Sequence, residues 1–352
     1  MRRLAPLLAL VAVLAAGCGS SGPSTSAIAV AQTTQTSHQP ASTTPHAPNG
    51  DIYDWLPHLY ERVSPKVVAI LVQKGQGAGE GSGVIWSSDG NIVTDAHVVS
   101  GASKVEVAFA SGERVPAKVV GTDQQTDLAV IKVEKTGLPV AQFAKSLPEV
   151  GQLAAAIGSP LGFQGSFTQG IVSGLHRNLP SGAGLPLVDL IQTDAPISPG
   201  NSGGALVNEY GVVVGINEAY IPPSQGAVSI GFATPAPTVT YVVQQLIENG
   251  KAEHAFLGIQ PGDVTPSVAQ QYGLSVKSGV IVLDVVSGSA AAKAGLKPGD
   301  VITKIGDQKI EDVGGLLTSL REHRPGDKVQ LTVLRNGSQQ QVQVTLSGRS
   351  AG

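Results

Sequence analysis

Short runs of apolar residues, many of them alternating with polar ones, fill the chain from about residue 67 to residue 233. Period-two runs rich in valine and isoleucine predict β-strands. They lie at Val67–Val72, Ser82–Trp86, Ile92–Thr94, Val105–Phe109, Arg114–Val120 and Leu128–Val133, followed by Leu153–Ile157, Thr168–Leu175, Leu187–Thr193, Ala205–Val207, Val212–Asn217 and Val228–Ala233. Glycine and Asp-Gly turns separate several of them, notably Asp89-Gly90. Before this region Trp55, Leu56, Leu59, Tyr60 and Val63 recur at helical spacing, which predicts a short amphipathic helix over Asp51–Val67. No regular alternation of strands with long helices occurs before residue 235, so a parallel βαβ domain is disfavoured. A β-sandwich or paired barrels fits, and pattern alone leaves that choice open.

The pattern changes after Pro235. Val239–Gly250 predicts a helix that stops at Asn249-Gly250, with Leu246 and Ile247 on its buried side. Lys251–Ala255 is then a short linker. Further on come a strand at Val280–Val285, a small-residue helix at Ser289–Ala294, a helix at Val313–Glu322, and strands at Lys328–Arg335 and Gln340–Leu346. The last two flank Asn336-Gly337, a hairpin signal. Pro180, Gly182, Gly184 and Pro186 mark Leu175–Leu187 as a loop.

Composition narrows the class. The 352 residues suffice for about two domains and a tail. High glycine and proline with only 14% charged residues suits many turns between short strands. A net charge of −3 without a strong basic block argues against nucleic acid as a partner. The single cysteine, Cys18, rules out an internal disulfide, and no Cys/His cluster has metal-ligand spacing. No metal or other cofactor is therefore expected. Arg2 and Arg3 precede a short apolar stretch, Leu4–Ala16, which reads as a signal peptide over residues 1–17. Leu14-Ala15-Ala16-Gly17-Cys18 resembles a bacterial lipobox, with Ala15 where leucine is usual. The resemblance implies cleavage before Cys18 and diacylglyceryl attachment to its thiol. An ordinary secretory signal, or an uncleaved anchor, with an incidental cysteine is the alternative. Residues 18–49 are Ser, Thr, Pro, Gln and Ala with almost no charge, and read as a flexible tether.

The sharpest candidate for chemistry is Gly200-Asn201-Ser202-Gly203-Gly204. Small residues let the backbone turn tightly around an exposed hydroxyl and leave amides free to point at one spot. A serine hydroxyl needs a neighbouring base to act as a nucleophile. His97 stands at the end of a strand and Asp127 at the start of another, so the candidate partners run His, Asp, Ser along the chain. That is the trypsin-like order. The pentapeptide also satisfies Gly-x-Ser-x-Gly, but an α/β-hydrolase would need its histidine after the serine, where only His254 and His323 remain. Taken alone, Ser202 could be a capping serine in a glycine turn, His97 a satisfied strand-end histidine and Asp127 a turn residue.

Gly81-Ser82-Gly83-Val84-Ile85, Thr94–Val99, Thr126–Val130, Ile157–Gly162 and Gln192–Gly204 follow one another in an order that resembles the protease domain of the bacterial high-temperature-requirement (HtrA, or Deg) family. The resemblance covers residues 60–245, and Gly231-Phe232-Ala233 also fits it. It implies a mainly β fold: a trypsin-like double six-stranded β-barrel over residues 50–250. In it Ser202 is the nucleophile, His97 the general base and Asp127 its orienting acid. The backbone N–H groups of Gly200, Asn201 and Ser202 form the oxyanion hole, and Ser229, Ile230 and Gly231 form a wall of the substrate groove beside an apolar primary pocket. Asp95 departs from the asparagine usual beside the histidine, which bears on the basicity of His97. Asp189 and Asp194 precede the nucleophile; Asp194 fits either a role in the structure of the activation loop or a surface turn.

Residues 256–347 resemble a small α+β PDZ domain. Phe256, Leu257, Gly258 and Ile259 match its carboxylate-binding loop, followed by the Lys297-Pro298-Gly299-Asp300 turn. The two resemblances together imply an ATP-independent, exported serine endopeptidase of the cell envelope, lipid-anchored at Cys18. Its expected substrates are unfolded or misfolded exported polypeptides, and C-terminal peptides bind the PDZ module. They also imply a homotrimer, with Tyr53, Trp55 and Tyr60 as possible contacts. The contrasting expectation is a non-enzymatic chaperone or peptide sensor that keeps the fold.

Overall fold

Valine and isoleucine alternating with polar residues can bury one face only by pairing with like strands. In the computed structural model twelve such strands close into two barrels. The structure describes residues 52–158, 166–179, 186–220, 229–271 and 273–350. The expected signal peptide, Cys18 and the tether lie outside the described residues.

The first barrel is β1 (Val67–Lys74), β2 (Gly77–Ile85), β3 (Asn91–Asp95), β4 (Lys104–Ala108), β5 (Arg114–Asp123) and β6 (Leu128–Val133), in spatial order β1-β2-β3-β6-β5-β4. The second is β7 (Leu153–Gly158), β8 (Ser166–Leu179), β9 (Leu187–Thr193), β10 (Ala205–Val207), β11 (Val213–Tyr220) and β12 (Gly231–Pro235), with the equivalent circular order β7-β8-β9-β12-β11-β10. The open choice between sandwich and barrels is thus settled, and no parallel sheet of the hydrolase kind is present among the described residues.

Each barrel has its own interior, built around Ile70, Ile92 and Ile131 in the first and Val172, Ile191 and Leu206 in the second. A third cluster joins them. Val84, Val93, Leu128 and Val130 of the first barrel meet Ile157, Val207, Val213 and Ile216 of the second. Helix α1 (Ile52–Val63) adds Leu59 and Val63, and the C-terminal helix of this region adds Val239, Val242, Val243 and Leu246. Trp55 packs on this seam and Tyr60 sets its ring edge-on to Phe167 at 5.9 Å. Both aromatics therefore serve the chain's own core. Between β3 and β4 lies one turn of helix, α2 (Ala96–Val99). The seam helix is α3 (Ala236–Asn249), ended by Gly250 in the left-handed region.

The C-terminal part pairs β13 (Glu253–Phe256) with β20 (Ser347–Ser350) beside a six-stranded sheet. That sheet runs β14 (Ile259–Asp263), β15 (Val280–Val285), β16 (Val301–Ile305), β18 (Lys328–Arg335), β19 (Ser338–Thr345), with β17 (Gln308–Lys309) on β16. Helices α4 (Pro266–Gln271), α5 (Ala290–Lys293) and α6 (Val313–Arg321) complete it. Asn336 and Gly337 have φ of 50° and 78°, the pair of left-handed residues that a two-residue hairpin between Arg335 and Ser338 demands.

Two boundaries differ from the sequence reading. Glu253–Ala255, read as part of a linker, belongs to β13, which pairs with β20. Leu175–Leu179 is not loop but the end of β8, paired through Arg177 to Leu190 and Leu179 to Leu187. Three register shifts in that pairing hide the period-two signal. β14, β16, β17, β20, α2 and α4 went unpredicted because each is short or carries few apolar positions.

Leu246 is fully buried on the seam. Leu246→Ala should lower the unfolding free energy of the barrel region by about 3 kcal/mol, from lost transfer energy and the cavity left behind. Denaturant titration followed by tryptophan fluorescence checks this, since Trp55 and Trp86 pack against the same cluster. A loss below about 1 kcal/mol would mean the seam does not hold the barrels together.

Candidate active site

The barrels meet where three chain segments converge. β3 ends at Asp95 and passes directly into α2, which buries Val98 and Val99 and leaves the His97 side chain half exposed. Asp127 stands in the turn before β6 with φ of 53°, a left-handed backbone that aspartate tolerates better than most residues. From there its carboxylate grips His97 twice. Oδ1 accepts the His97 backbone N–H at 2.8 Å, and Oδ2 lies 2.5 Å from Nδ1. The Asp127 carbonyl also accepts the Ala96 N–H at 2.7 Å. With Nδ1–H facing an ionised carboxylate, Nε2 is left as the acceptor of the imidazole. Burial pushes the Asp127 carboxyl up, but hydrogen bonds from His97 and Glu218 and the imidazole charge outweigh it and hold the group below its ordinary range.

Ser202 comes from the loop before β10. Its carbonyl accepts the Ser82 N–H at 2.8 Å, and Ser82 Oγ donates to Gly200 O at 2.6 Å. Thr94 Oγ1 in turn donates to Ser82 O at 2.6 Å. Strands β2 and β3 of the first barrel thus clamp the loop of the second. The Ser202 hydroxyl donates to the Glu218 carbonyl at 3.1 Å, and no hydrogen bond joins it to His97 among the described residues. The N–H groups of Gly200 and Ser202 have no partner among the described residues, whereas that of Asn201 donates to Ser198 O at 2.9 Å.

Of the other predicted positions, Gly231 opens β12 and its α-carbon faces the Ile197 side chain. Ser229 is exposed, Ile230 half-buried, and Ser229 has φ of 52°. Asp194 accepts the Ile171 N–H at 2.7 Å, and Asp189 pairs with His176 at 2.6 Å, so neither offers a free carboxylate at the base of a pocket. His254 is buried against Asp123 at 2.9 Å and His323 lies 3.8 Å from Asp327; neither pairs with Ser202.

Phe256, Leu257, Gly258 and Ile259 form the turn from β13 into β14. The N–H groups of Leu257 and Gly258 are without partners among the described residues, and the Arg349 guanidinium lies 4.9 Å from the Phe256 ring. This turn and Leu316, Leu317 and Leu320 of α6 line a cavity of about 520 Å³ that His97 and Asp127 also line.

Sequence reasoning missed two residues here. Glu218 is 3% exposed inside strand β11, whose other residues are apolar except Asn217 and Tyr220. A lone acid in such a run was its only signal. Arg321, at the end of α6, donates to Val188 O at 2.5 Å and to Gln125 O at 2.8 Å, tying the C-terminal helix to both barrels two residues before Asp127. A terminal helical arginine gives no such signal. Among the described residues, Asp95, His97 and Glu218 are the trio close enough to hold a metal, with ligand atoms within 4.8 Å of one another. His97 Nδ1 is already engaged by Asp127, which favours an extended acid–imidazole cluster over a metal cage.

Comparison with known proteins agrees with this anatomy. A model of the trypsin-like peptidase domain matches residues 81–216, and one of the PDZ domain matches residues 255–346. A probable periplasmic serine endoprotease, DegP-like, of Marinomonas sp. (strain MWYL1) is 41% identical over 79% of this chain and 59% of its own length. The periplasmic pH-dependent serine endoprotease DegQ of Escherichia coli (strain K12) is 39% identical over 76% of this chain and 59% of its own. The chain spans 52% to 66% of the length of the first curated relatives it matches. A solved structure of the HtrA-type protease AlgW with a decapeptide superposes at a TM-score of 0.68, with 34% identity, over 83% of this chain and 98% of that one. The serine endoprotease from Yersinia pestis gives 0.63 and 33%, over 83% of this chain and 97% of that one.

Gly203 has φ of +81°, and a Cβ there would lie 2.3 Å from both Ser82 O and Thr94 Oγ1. Gly203→Ala should therefore cost roughly 3 kcal/mol through backbone strain and displacement of the clamp. Thermal unfolding checks it, and a melting temperature equal to wild type would contradict the clamp.

Proposed function

The chain belongs to the HtrA/DegP family of serine proteases, which join a trypsin-like domain to a PDZ domain, and from that premise we propose that it is an exported serine endopeptidase acting on unfolded polypeptides of the cell envelope. The observation that carries this reading is the His97–Asp127 pair at 2.5 Å, set beside a serine whose loop has unpaired amides.

Catalysis would begin with rotation of the Ser202 hydroxyl from the Glu218 carbonyl towards His97 Nε2. Catalytic hydrogen bonds are often loose before substrate binds. Ser202 Oγ attacks the scissile carbonyl while Nε2 takes its proton, and Asp127 stabilises the resulting imidazolium. The N–H groups of Gly200 and Ser202 receive the oxyanion. The Asn201 N–H can join them only by leaving Ser198 O. His97 then gives its proton to the leaving amine, and water hydrolyses the acyl-enzyme by the reverse relay. Ser229–Gly231 is the proposed edge for an extended substrate.

In the C-terminal module a peptide carboxylate would meet the N–H groups of Leu257 and Gly258, with Arg349 nearby, and its chain would lie along the α6 groove. Because that groove opens towards His97, occupancy of the module and access to the site are expected to be coupled, with Arg321 as the mechanical joint. The same reading places the signal peptide at residues 1–17, a lipid-anchored tether at 18–49, the protease domain at 50–250 and the PDZ domain at 256–347. It also includes a homotrimer.

Purified protein should cleave unfolded casein, and Ser202→Ala should lose activity by about 10⁴-fold or more while casein still binds. Equal cleavage by both proteins would remove Ser202 from its role and favour the chaperone reading. For the anchor, mass spectrometry should find a diacylglyceryl-modified Cys18 at the mature N-terminus. Cys18→Ala should release the protein from membranes; an unmodified N-terminus elsewhere would exclude lipidation.

A further inference from the structure

Three acids converge on one imidazole. Asp127 is 2.5 Å from His97 Nδ1, Glu218 Oε1 is 4.0 Å from the same nitrogen, and an Asp95 oxygen lies within 4.8 Å of both partners' atoms. Asp95 is 0% exposed and Glu218 is 3% exposed. Asp95 occupies the N-cap position of α2 but makes no side-chain capping bond. Neither of its oxygens has a hydrogen-bond partner among the described residues, and the Gly203 N–H that faces it is spent on Asn217 O. Glu218 Oε2 likewise has no hydrogen-bond partner among the described residues, and Oε1 shares His97 Nδ1 as a neighbour with Asp127 Oδ2. Two carboxyl groups can share a hydrogen bond only when one carries a proton.

We propose that Glu218 is a positioning residue: its neutral carboxyl donates a hydrogen bond to the Asp127 carboxylate, presses that carboxylate against His97, and by ionising sets the alkaline edge of activity. This rests on the peptidase reading of the site.

The surroundings place the proton on Glu218. Burial, then the charges of Asp95 and Asp127 and the hydrogen bond to Asp127, push its carboxyl well above the ordinary range; Arg321 of α6 pulls the other way. Asp127, held below its range by His97 and Glu218, is the acceptor. Burial and the Asp127 charge also raise Asp95. The groups facing it are Asp95 from β3, His97 from α2, Asp127 from the β5–β6 turn and Arg321 from α6. When Glu218 loses its proton to solvent, a donor to Asp127 becomes a second negative charge, and the carboxylate is pushed off its position.

Folding is linked to the same proton. The folded-state value lies above the unfolded one, so between them the folded state binds more protons. Stability contributed by the protonated group is complete below the ordinary glutamate range and is lost as pH rises through the raised value.

The test compares pH profiles of kcat and kcat/KM on an unfolded-casein peptide for the full chain and two variants. Glu218→Gln keeps a donor but cannot ionise. Its alkaline limb should move up by at least about one pH unit, the acid limb set by His97 staying in place. Glu218→Leu has no donor and should lose kcat roughly tenfold to a hundredfold with little change in KM. An alkaline limb in Glu218→Gln coincident with wild type overturns the proposal. A second arm needs neither catalysis nor a Glu218 variant: in Ser202→Ala protein, the His97 ring signal followed by NMR should show a second inflection, at a pH above the ordinary glutamate range. A single inflection overturns the proposal, whereas wild type failing to cleave at any pH overturns the peptidase reading alone.

Discussion

Asp127 holds His97 by ring and backbone together, and that double contact sets the rest of the site. It requires a left-handed residue at the β5–β6 turn, a single helical turn after β3, and a register that brings β3 and β6 side by side. The nucleophile loop is then fixed against the same strands through Ser82 and Thr94. A site made of three distant segments can be this compact only because an apolar seam, sealed by α1 and α3, presses two closed barrels together.

Much of this was legible in the chain. Each of the twelve barrel strands overlaps an apolar run read from the chain, and Asn336-Gly337 announced its hairpin because few dipeptides adopt two left-handed conformations. The end of β8 did not show, since a strand with repeated register shifts loses its period. His97, Asp127 and Ser202 stood out through their order and glycine context, and the fold brings all three segments together. What stayed hidden were side chains whose roles come from tertiary neighbours. Nothing local to Glu218 tells that it will lie against Asp127, and nothing local to Arg321 tells that it will reach the carbonyls of Val188 and Gln125.

Those two residues give the active site its character. Glu218 and Asp95 add buried acids beside His97, and in the proposed reading proton occupancy as well as geometry governs how Asp127 is held. Arg321 brings a C-terminal helix into the same electrostatic neighbourhood and faces Asp189, Asp123 and Glu218. The Phe256–Ile259 turn lines one cavity with His97. In the proposed reading, the two halves of the molecule therefore share walls and charges, and a peptide in one is physically adjacent to the chemistry of the other.

The most direct measurement is the rate and place of covalent labelling by a serine-directed fluorophosphonate, followed by intact mass and peptide mapping. The account predicts one adduct per chain, on Ser202, forming far more slowly in His97→Ala and in Asp127→Asn than in wild type. An adduct elsewhere, or labelling of Ser202 at the wild-type rate without His97, would contradict it.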